Sequence, residues 1–307
     1  MIASFLTVFP IFAVISAGWV AIRQGLVREE TGNGISDYVF MIAIPLMLFR
    51  TLATAPLPDQ PPWAFWASYF FGLASVWIII AVVAARVFRR EPQESAIIGF
   101  TTAQSNMVLL GIPLILRVFG DEGSVPLFLM VAVHLPVTMS VATILIEQAD
   151  PGASKLRLIL TRLARNPILI GIICGGLFRL TGLALPETIL ATLKFIGDSA
   201  APCALFATGI ALSRYGLGGD RLLLSLVVTL KLIVHPILVF LAARYVFGLP
   251  PVWVGVATVL AGCPCGVNAY LLAERYRVGL SIASGGVAAS TVLSIFTTTF
   301  LVWLVKG

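Results

Sequence analysis

Apolar runs of about twenty residues recur from one end of the 307-residue chain to the other, separated by short stretches rich in Gly, Pro, Arg and acids. The first is IASFLTVFPIFAVISAGWVAI, residues 2 to 22. Such runs have the length of membrane-crossing helices, and they lack the strict apolar/polar alternation of a transmembrane barrel. The pattern predicts ten helical segments, at about 3–23, 34–54, 63–87, 94–118, 125–147, 165–184, 187–213, 220–247, 251–275 and 279–305. The expected fold class is therefore an all-α polytopic membrane protein with ten transmembrane helices.

Composition agrees: 59% of residues are hydrophobic and 11% charged, with a mean hydropathy of +1.02. A water-exposed surface needs far more charge than this. The first run has neither a basic leader nor a small-residue cleavage site, so it reads as a span rather than a removable signal. Thirteen of the twenty Lys and Arg residues follow odd-numbered segments, six follow even-numbered ones, and Lys231 lies inside the eighth. The positive-inside rule then puts both termini on the non-cytoplasmic side, and the composition fits a plasma (inner) membrane. No basic cluster suggests nucleic acid.

The chain repeats itself. FPIFAVISAGWVAIRQGL from Phe9 aligns with NPILIGIICGGLFRLTGL from Asn166, superposing Pro10 on Pro167, Gly18 on Gly175 and Gly25 on Gly182, an offset of 157. The same offset lays AIPLMLF (43–49) over AAPCALF (200–206) and Pro45 over Pro202. Residues 1–150 and 151–307 thus form two repeats of five spans. Because five is odd, the second half enters the membrane inverted, an arrangement that puts a transport site at the repeat interface.

Segments 4 and 9 carry helix breakers at membrane depth. In TTAQSNMVLLGIPLILRVFG, Pro113 removes a backbone donor and crowds the Leu109 carbonyl, and in AGCPCGVNAYLLAERY Pro264 does the same to Leu260. Gly111, Gly262 and Gly266 ease irregular backbone nearby. Such backbone persists in a membrane only where protein or a water-filled cavity satisfies it. Asn106 and Asn268 sit beside the breaks, each placed to begin the second half of its helix as an N-cap. Two half-helix N-termini meeting there would attract an anion, most simply a carboxylate. Gln104, Ser105 and Gly266 are further candidate lining residues.

SNMVLLGIPLILRVFG and CPCGVNAYLLAERY, with the Pro45/Pro202 pair, resemble the auxin efflux carrier family, which includes bacterial carriers assigned to malonate-type substrates. The resemblance covers the whole chain and implies an antiporter/bile-acid-symporter-like fold in which spans 4 and 9 cross. It implies a scaffold and homodimer surface from spans 1, 2, 6 and 7, and a transport domain from spans 3–5 and 8–10 moving elevator-fashion. Its motif falls on Asn106, Gly111, Pro113, Pro264 and Asn268. The short stretch at 148–164 departs from most plant members, which carry a long hydrophilic insert there; this puts auxin as substrate in doubt.

Other polar residues within spans have competing readings. Asp198 could bind a coupling cation or pair with a cationic side chain. Lys231, with His235 one turn on, could balance substrate charge or bond backbone carbonyls in support of broken span 9. His134 reads as a bond to a neighbouring helix. Cys263 and Cys265 lack the His or acidic company of a metal site, so neither metal nor cofactor is expected. The reading is a secondary transporter for small organic anions such as carboxylates, dicarboxylates or auxin-like acids, with a sodium- or proton-coupled symporter as alternative. An intramembrane enzyme is a distant third, for the chain has no G-x-S-x-G elbow and no H-E-x-x-H helix.

Overall fold

A computed structural model describes residues 1–54, 62–146, 166–216 and 218–306. The 148–164 connection, with Lys155, Arg157 and Arg162 of the charge count, lies outside the described residues, as does Arg165. Every described element is helical: α1 (Ile2–Arg23), α2 (Glu29–Thr54), α3 (Trp63–Arg86), α4 (Pro92–Ala103), α5 (107–119), α6 (Ser124–Ile146), α7 (Pro167–Leu180), α8 (Glu187–Leu212), α9 (Arg221–Val246), α10 (Pro251–Ala261), α11 (Val267–Tyr276) and α12 (Leu280–Lys306). Helix ends fall within a few residues of the predicted segments, except that α2 begins earlier and segments 4 and 9 are each split in two. Among the described residues, seven helical runs are long and apolar enough to cross a membrane. One of these, Met107–Ile146, is divided at the 3₁₀ turn Gly120–Gly123, where Gly120 takes φ 59°.

Two groups of helices can be traced. In the first, α1 packs on α8 and α2 packs on α7. Both contacts depend on glycine. A Cβ on Gly18 would lie 2.2 Å from the Phe206 carbonyl oxygen, and one on Gly175 would lie 2.7 Å from that of Phe49. These are the pairs that the 157-residue offset superposes, Gly18 on Gly175 and Phe49 on Phe206. Close backbone approach through small residues is how helices associate in lipid, where burial of apolar surface supplies no drive. Gly18→Leu and Gly175→Leu should each destabilise the protein by about 1–3 kcal/mol through overpacking. A lowered thermal midpoint in detergent would show this; unchanged midpoints for both would contradict the contacts.

The second group joins α3 to α4 and α9, α4 to α6, and α12 to α10 and α11. Its interior is large and apolar, with Phe65, Tyr69, Phe100 and Phe128 fully buried. Trp253 from α10 meets Phe65 edge-on at 5.0 Å between ring centroids.

Candidate functional site

Within that second group two helices stop in apolar sequence. α4 ends at Ala103, and Gln104 is extended at φ −72°, ψ 114° before α5 begins. α10 ends at Ala261, and α11 starts behind Gly266 at φ −74°, ψ 144°. The interruptions lie side by side, joined as an antiparallel bridge between Ser105 and Cys265. The Asn106 N–H donates to the Pro264 carbonyl at 2.9 Å, and the Gly266 N–H donates to the Gln104 carbonyl at 2.8 Å. Each break thus satisfies backbone groups that the other leaves open, which is what irregular chain needs at membrane depth. The Cys265 N–H is taken by the Ser290 hydroxyl of α12 at 2.9 Å.

Glycine and proline serve this pairing in different ways. A Cβ on Gly266 would lie 2.9 Å from Gln104 Cγ and 3.3 Å from the Ser105 carbonyl oxygen, so the residue is held small by the opposite break. Pro113 follows a π turn, Met107–Gly111, in which the Asn106 carbonyl accepts from Leu110 N at 3.3 Å and Gly111 N at 3.0 Å. The widened turn accommodates a residue that cannot donate to Leu109. Gly111 lies against Leu260 of α10, whose Cδ2 would be 2.9 Å from an added Cβ.

The side chains at the breaks divide into tethered and free. Gln104 Oε1 accepts from the Thr138 hydroxyl at 2.7 Å, and the Ser105 N–H donates to His134 Nε2 at 3.4 Å. The Ser105 hydroxyl meets the Tyr69 hydroxyl at 3.0 Å and receives a hydrogen bond from Lys231 Nζ. Neither asparagine side chain caps a helix, contrary to expectation. Asn106 stands at the N-cap position of the π turn without a side-chain cap bond, and Asn268 is inside α11, whose N-cap is Gly266. Capping needs the amide folded back on its own first turn, and these amides are left for something else. Among the described residues neither has a hydrogen-bonding partner.

Both amides line a cavity of about 650 Å³, together with Gln104, Ser105, Gly266 and His134. Its other wall is α2 and the end of α8, and it extends to Glu29, Arg214 and Glu274. There Arg214 Nε is 3.3 Å from Glu29 Oε1, and Arg214 Nη2 donates to Asn33 Oδ1 at 3.0 Å. Tyr215, just past α8, stacks edge-on against Tyr270 of α11 at 4.9 Å. Burial pushes the Tyr215 phenol up to about 12, so that ring stays a neutral donor. The sequence reading did not single out Asp37, Arg214, Tyr215 or Tyr270 as cavity residues. It did not single out Tyr69 either.

Of the remaining candidates, Gly111, Pro113 and Pro264 frame the breaks. Lys231 and His235 are fully buried behind Ser105 on one face of α9, their Nζ and Nδ1 atoms 3.3 Å apart. Lys231 bonds the end of α4, through the Ala103 carbonyl at 3.5 Å, so it braces the break of span 4 rather than that of span 9. Asp198 is outside the cavity, its side chain 58% exposed and its Oδ2 atom 2.6 Å from Lys194 Nζ on the preceding turn.

A family model described as membrane transport protein matches residues 3–302. The chain belongs to that family. It is the auxin efflux carrier family that the broken-span motifs resemble, and the protein is a transporter rather than an enzyme. A protein of Rhizobium meliloti (strain 1021) described as a candidate malonate transporter is 24% identical over 304 residues, 98% of this chain and 95% of its own. An uncharacterized transporter of Methanothermobacter thermautotrophicus is 25% identical over 293 residues, 94% of each chain. The lysosomal cholesterol signaling protein of Mus musculus is 23% identical over 247 residues, 74% of this chain but 28% of that longer protein.

Proposed function

We propose that this transporter carries small organic anions, with carboxylates as the principal class, bound where the two helix breaks pair. The observation that carries the proposal is the pair of amides, Asn106 and Asn268, presented to the cavity without protein partners beside two helix N-termini. Those N-termini add unpaired N–H groups and the positive ends of helix dipoles. The cavity acids Asp37 and Glu274 come from α2 and the last turn of α11, and Glu29 at the mouth is paired to Arg214; none comes from the breaks themselves. Malonate is the first acid to test, since that is the substrate in the description of the Rhizobium relative.

In this reading the ten segments are ten crossings in a 5+5 inverted repeat, and spans 4 and 9 cross at the Ser105–Cys265 bridge. The reciprocal contacts of Gly18 with Phe206 and Gly175 with Phe49 support the repeat. Spans 1, 2, 6 and 7 form the scaffold, and the broken spans travel with the other group. A second cavity, about 600 Å³, supports that division. It is lined by Arg50 and Thr54 of α2 and Leu190 and Lys194 of α8, facing Asp121, Glu122 and Ser124. The two cavities thus lie at opposite ends of α2 and α8, along one boundary between the groups. A sliding transport domain would open them alternately. In this reading, with the termini outside, the end of α8 that carries Arg214 is on the cytoplasmic side, and the larger cavity opens inward.

Sodium coupling is disfavoured by Lys231. Its ammonium engages the Ala103 carbonyl and Ser105 hydroxyl, oxygens that a cation beside the break would need, and would repel such a cation. The test is charge movement by reconstituted protein on a solid-supported membrane, stepping through malonate, longer dicarboxylates, monocarboxylates and indole-3-acetate, with and without sodium. A saturable, sodium-independent current is expected for one carboxylate class. A current that requires sodium would overturn the uncoupled reading. No current together with no binding of any of these acids would overturn the anion reading.

A further inference from the structure

Lys231 presents a problem that the breaks alone do not explain. It is fully buried in α9, within the π turn Leu230–Val234. A lysine ammonium has three donors and no acceptor, and this one faces three acceptors: the Ala103 carbonyl oxygen, Ser105 Oγ and His235 Nδ1. That arrangement fits the charged form. It also fixes the tautomer of His235, whose Nδ1 accepts, so that its proton is on Nε2, a buried atom with no partner among the described residues. His134 is neutral on the same reasoning, since Nε2 accepts the Ser105 N–H and the orphaned Nδ1 carries the proton.

The groups around the ammonium are therefore all uncharged: Tyr69 of α3, Ser105 at the break, His134 of α6, His235 of α9, and Cys263 and Cys265 at the second break. The ion pairs among the described residues are Arg90–Glu94, Arg90–Asp220, Lys194–Asp198 and Arg214–Glu29, and none includes Lys231. A buried charge left without a counter-ion costs several kcal/mol even after relaxation. The last carbonyls of α4 offset part of that through their dipole. The remainder calls for an anion, and Ser105, which accepts a hydrogen bond from Lys231, also lines the cavity.

We infer that Lys231 is the fixed counter-charge of the transported anion, acting through Ser105, and that it sets a preference for dianions over monoanions. The inference rests on the proposed anion site at the breaks. Lys231 does not touch substrate in this arrangement; it is a positioning residue whose charge is felt across one hydroxyl. At a separation of about 6 Å and an effective dielectric of about 20, a full charge is worth on the order of 100-fold in affinity for each unit of ligand charge. Sharing with water in the cavity reduces that to roughly 10-fold per unit.

The test compares malonate with monomethyl malonate, one charge fewer on nearly the same frame, by calorimetric binding to purified protein. Wild-type protein should bind malonate roughly 10-fold or more tightly than the monoester. Lys231→Gln keeps hydrogen-bond donors but no charge, and should erase that preference, malonate losing about 10-fold more than the monoester. Equal wild-type affinity for the two acids overturns the inference without any variant, and so does a Lys231→Gln protein that keeps the wild-type ratio. Wild-type protein that binds neither acid, nor any other carboxylate, instead sinks the anion site on which the inference stands.

Discussion

Asn106→Ala is expected to weaken carboxylate binding by about 10- to 100-fold, and Asn268→Ala by a similar factor, with little change in stability. A hydrogen bond to a charged group contributes about 1.5–3 kcal/mol, and each 1.4 kcal/mol is tenfold in affinity. The two losses will not simply add, because both amides are proposed to hold one ligand. The stability forecast follows from a specific feature of the site. Neither amide bonds the protein, so truncating it strands no buried partner, and the loss should stay near or below about 1 kcal/mol, smaller at half-buried Asn268 than at buried Asn106. Binding isotherms and thermal midpoints of the same preparations check both halves. Loss of affinity accompanied by equal loss of stability would make the asparagines structural. Unchanged affinity in both variants would remove the amides as ligands.

Gly266→Val should abolish transport. The added Cβ would approach Gln104 Cγ at 2.9 Å and the Ser105 carbonyl oxygen at 3.3 Å, and two further methyl groups need still more space. Relief requires the breaks to separate, which loses the Asn106–Pro264 and Gly266–Gln104 backbone bonds. Each buried group left unpaired costs about 1–3 kcal/mol. The helices themselves remain apolar and still insert. The expected result is protein present in the membrane at near-normal amount, with no substrate-dependent current. Gly176→Ala is the control: an added Cβ there meets nothing within 4 Å, so current should be preserved. A Gly266→Val protein that transports normally would mean that the paired breaks are not the site.

Much of this was legible in the sequence because membrane helices write their length and their breakers directly into the chain. Pro113 and Pro264 marked the interrupted helices, and one register of small residues and prolines picked out Gly18 and Gly175, both of which meet a carbonyl of a packed helix closely. What was not legible is what depends on which helix faces which. Asn106 and Asn268 resemble N-caps by position, yet Gly266 takes the N-cap of α11 and neither amide bonds the first turn that follows it. Lys231 is near span 9 in sequence but reaches back to the end of α4, a choice set by packing rather than by spacing. His134 reads from sequence as a bond to a neighbouring helix, and Ser105 supplies that partner; Tyr69 carried no signal of its own, and only its contact with the Ser105 hydroxyl gives it a place at the site. Asp198 is the opposite case: Lys194 four residues earlier lay on the same helical face, so its ion pair could have been foreseen.

The most direct test of the central claim is where the anion sits. We would determine the crystal structure of the protein with bromomalonate, or the bromo derivative of whichever acid gives the largest current, and locate the bromine by its anomalous signal. The account predicts a peak in the cavity between Asn106 and Asn268, with carboxylate oxygens in hydrogen-bond reach of both amides. A peak confined to the Arg50–Lys194 cavity, with the paired breaks empty at saturating ligand, would contradict it.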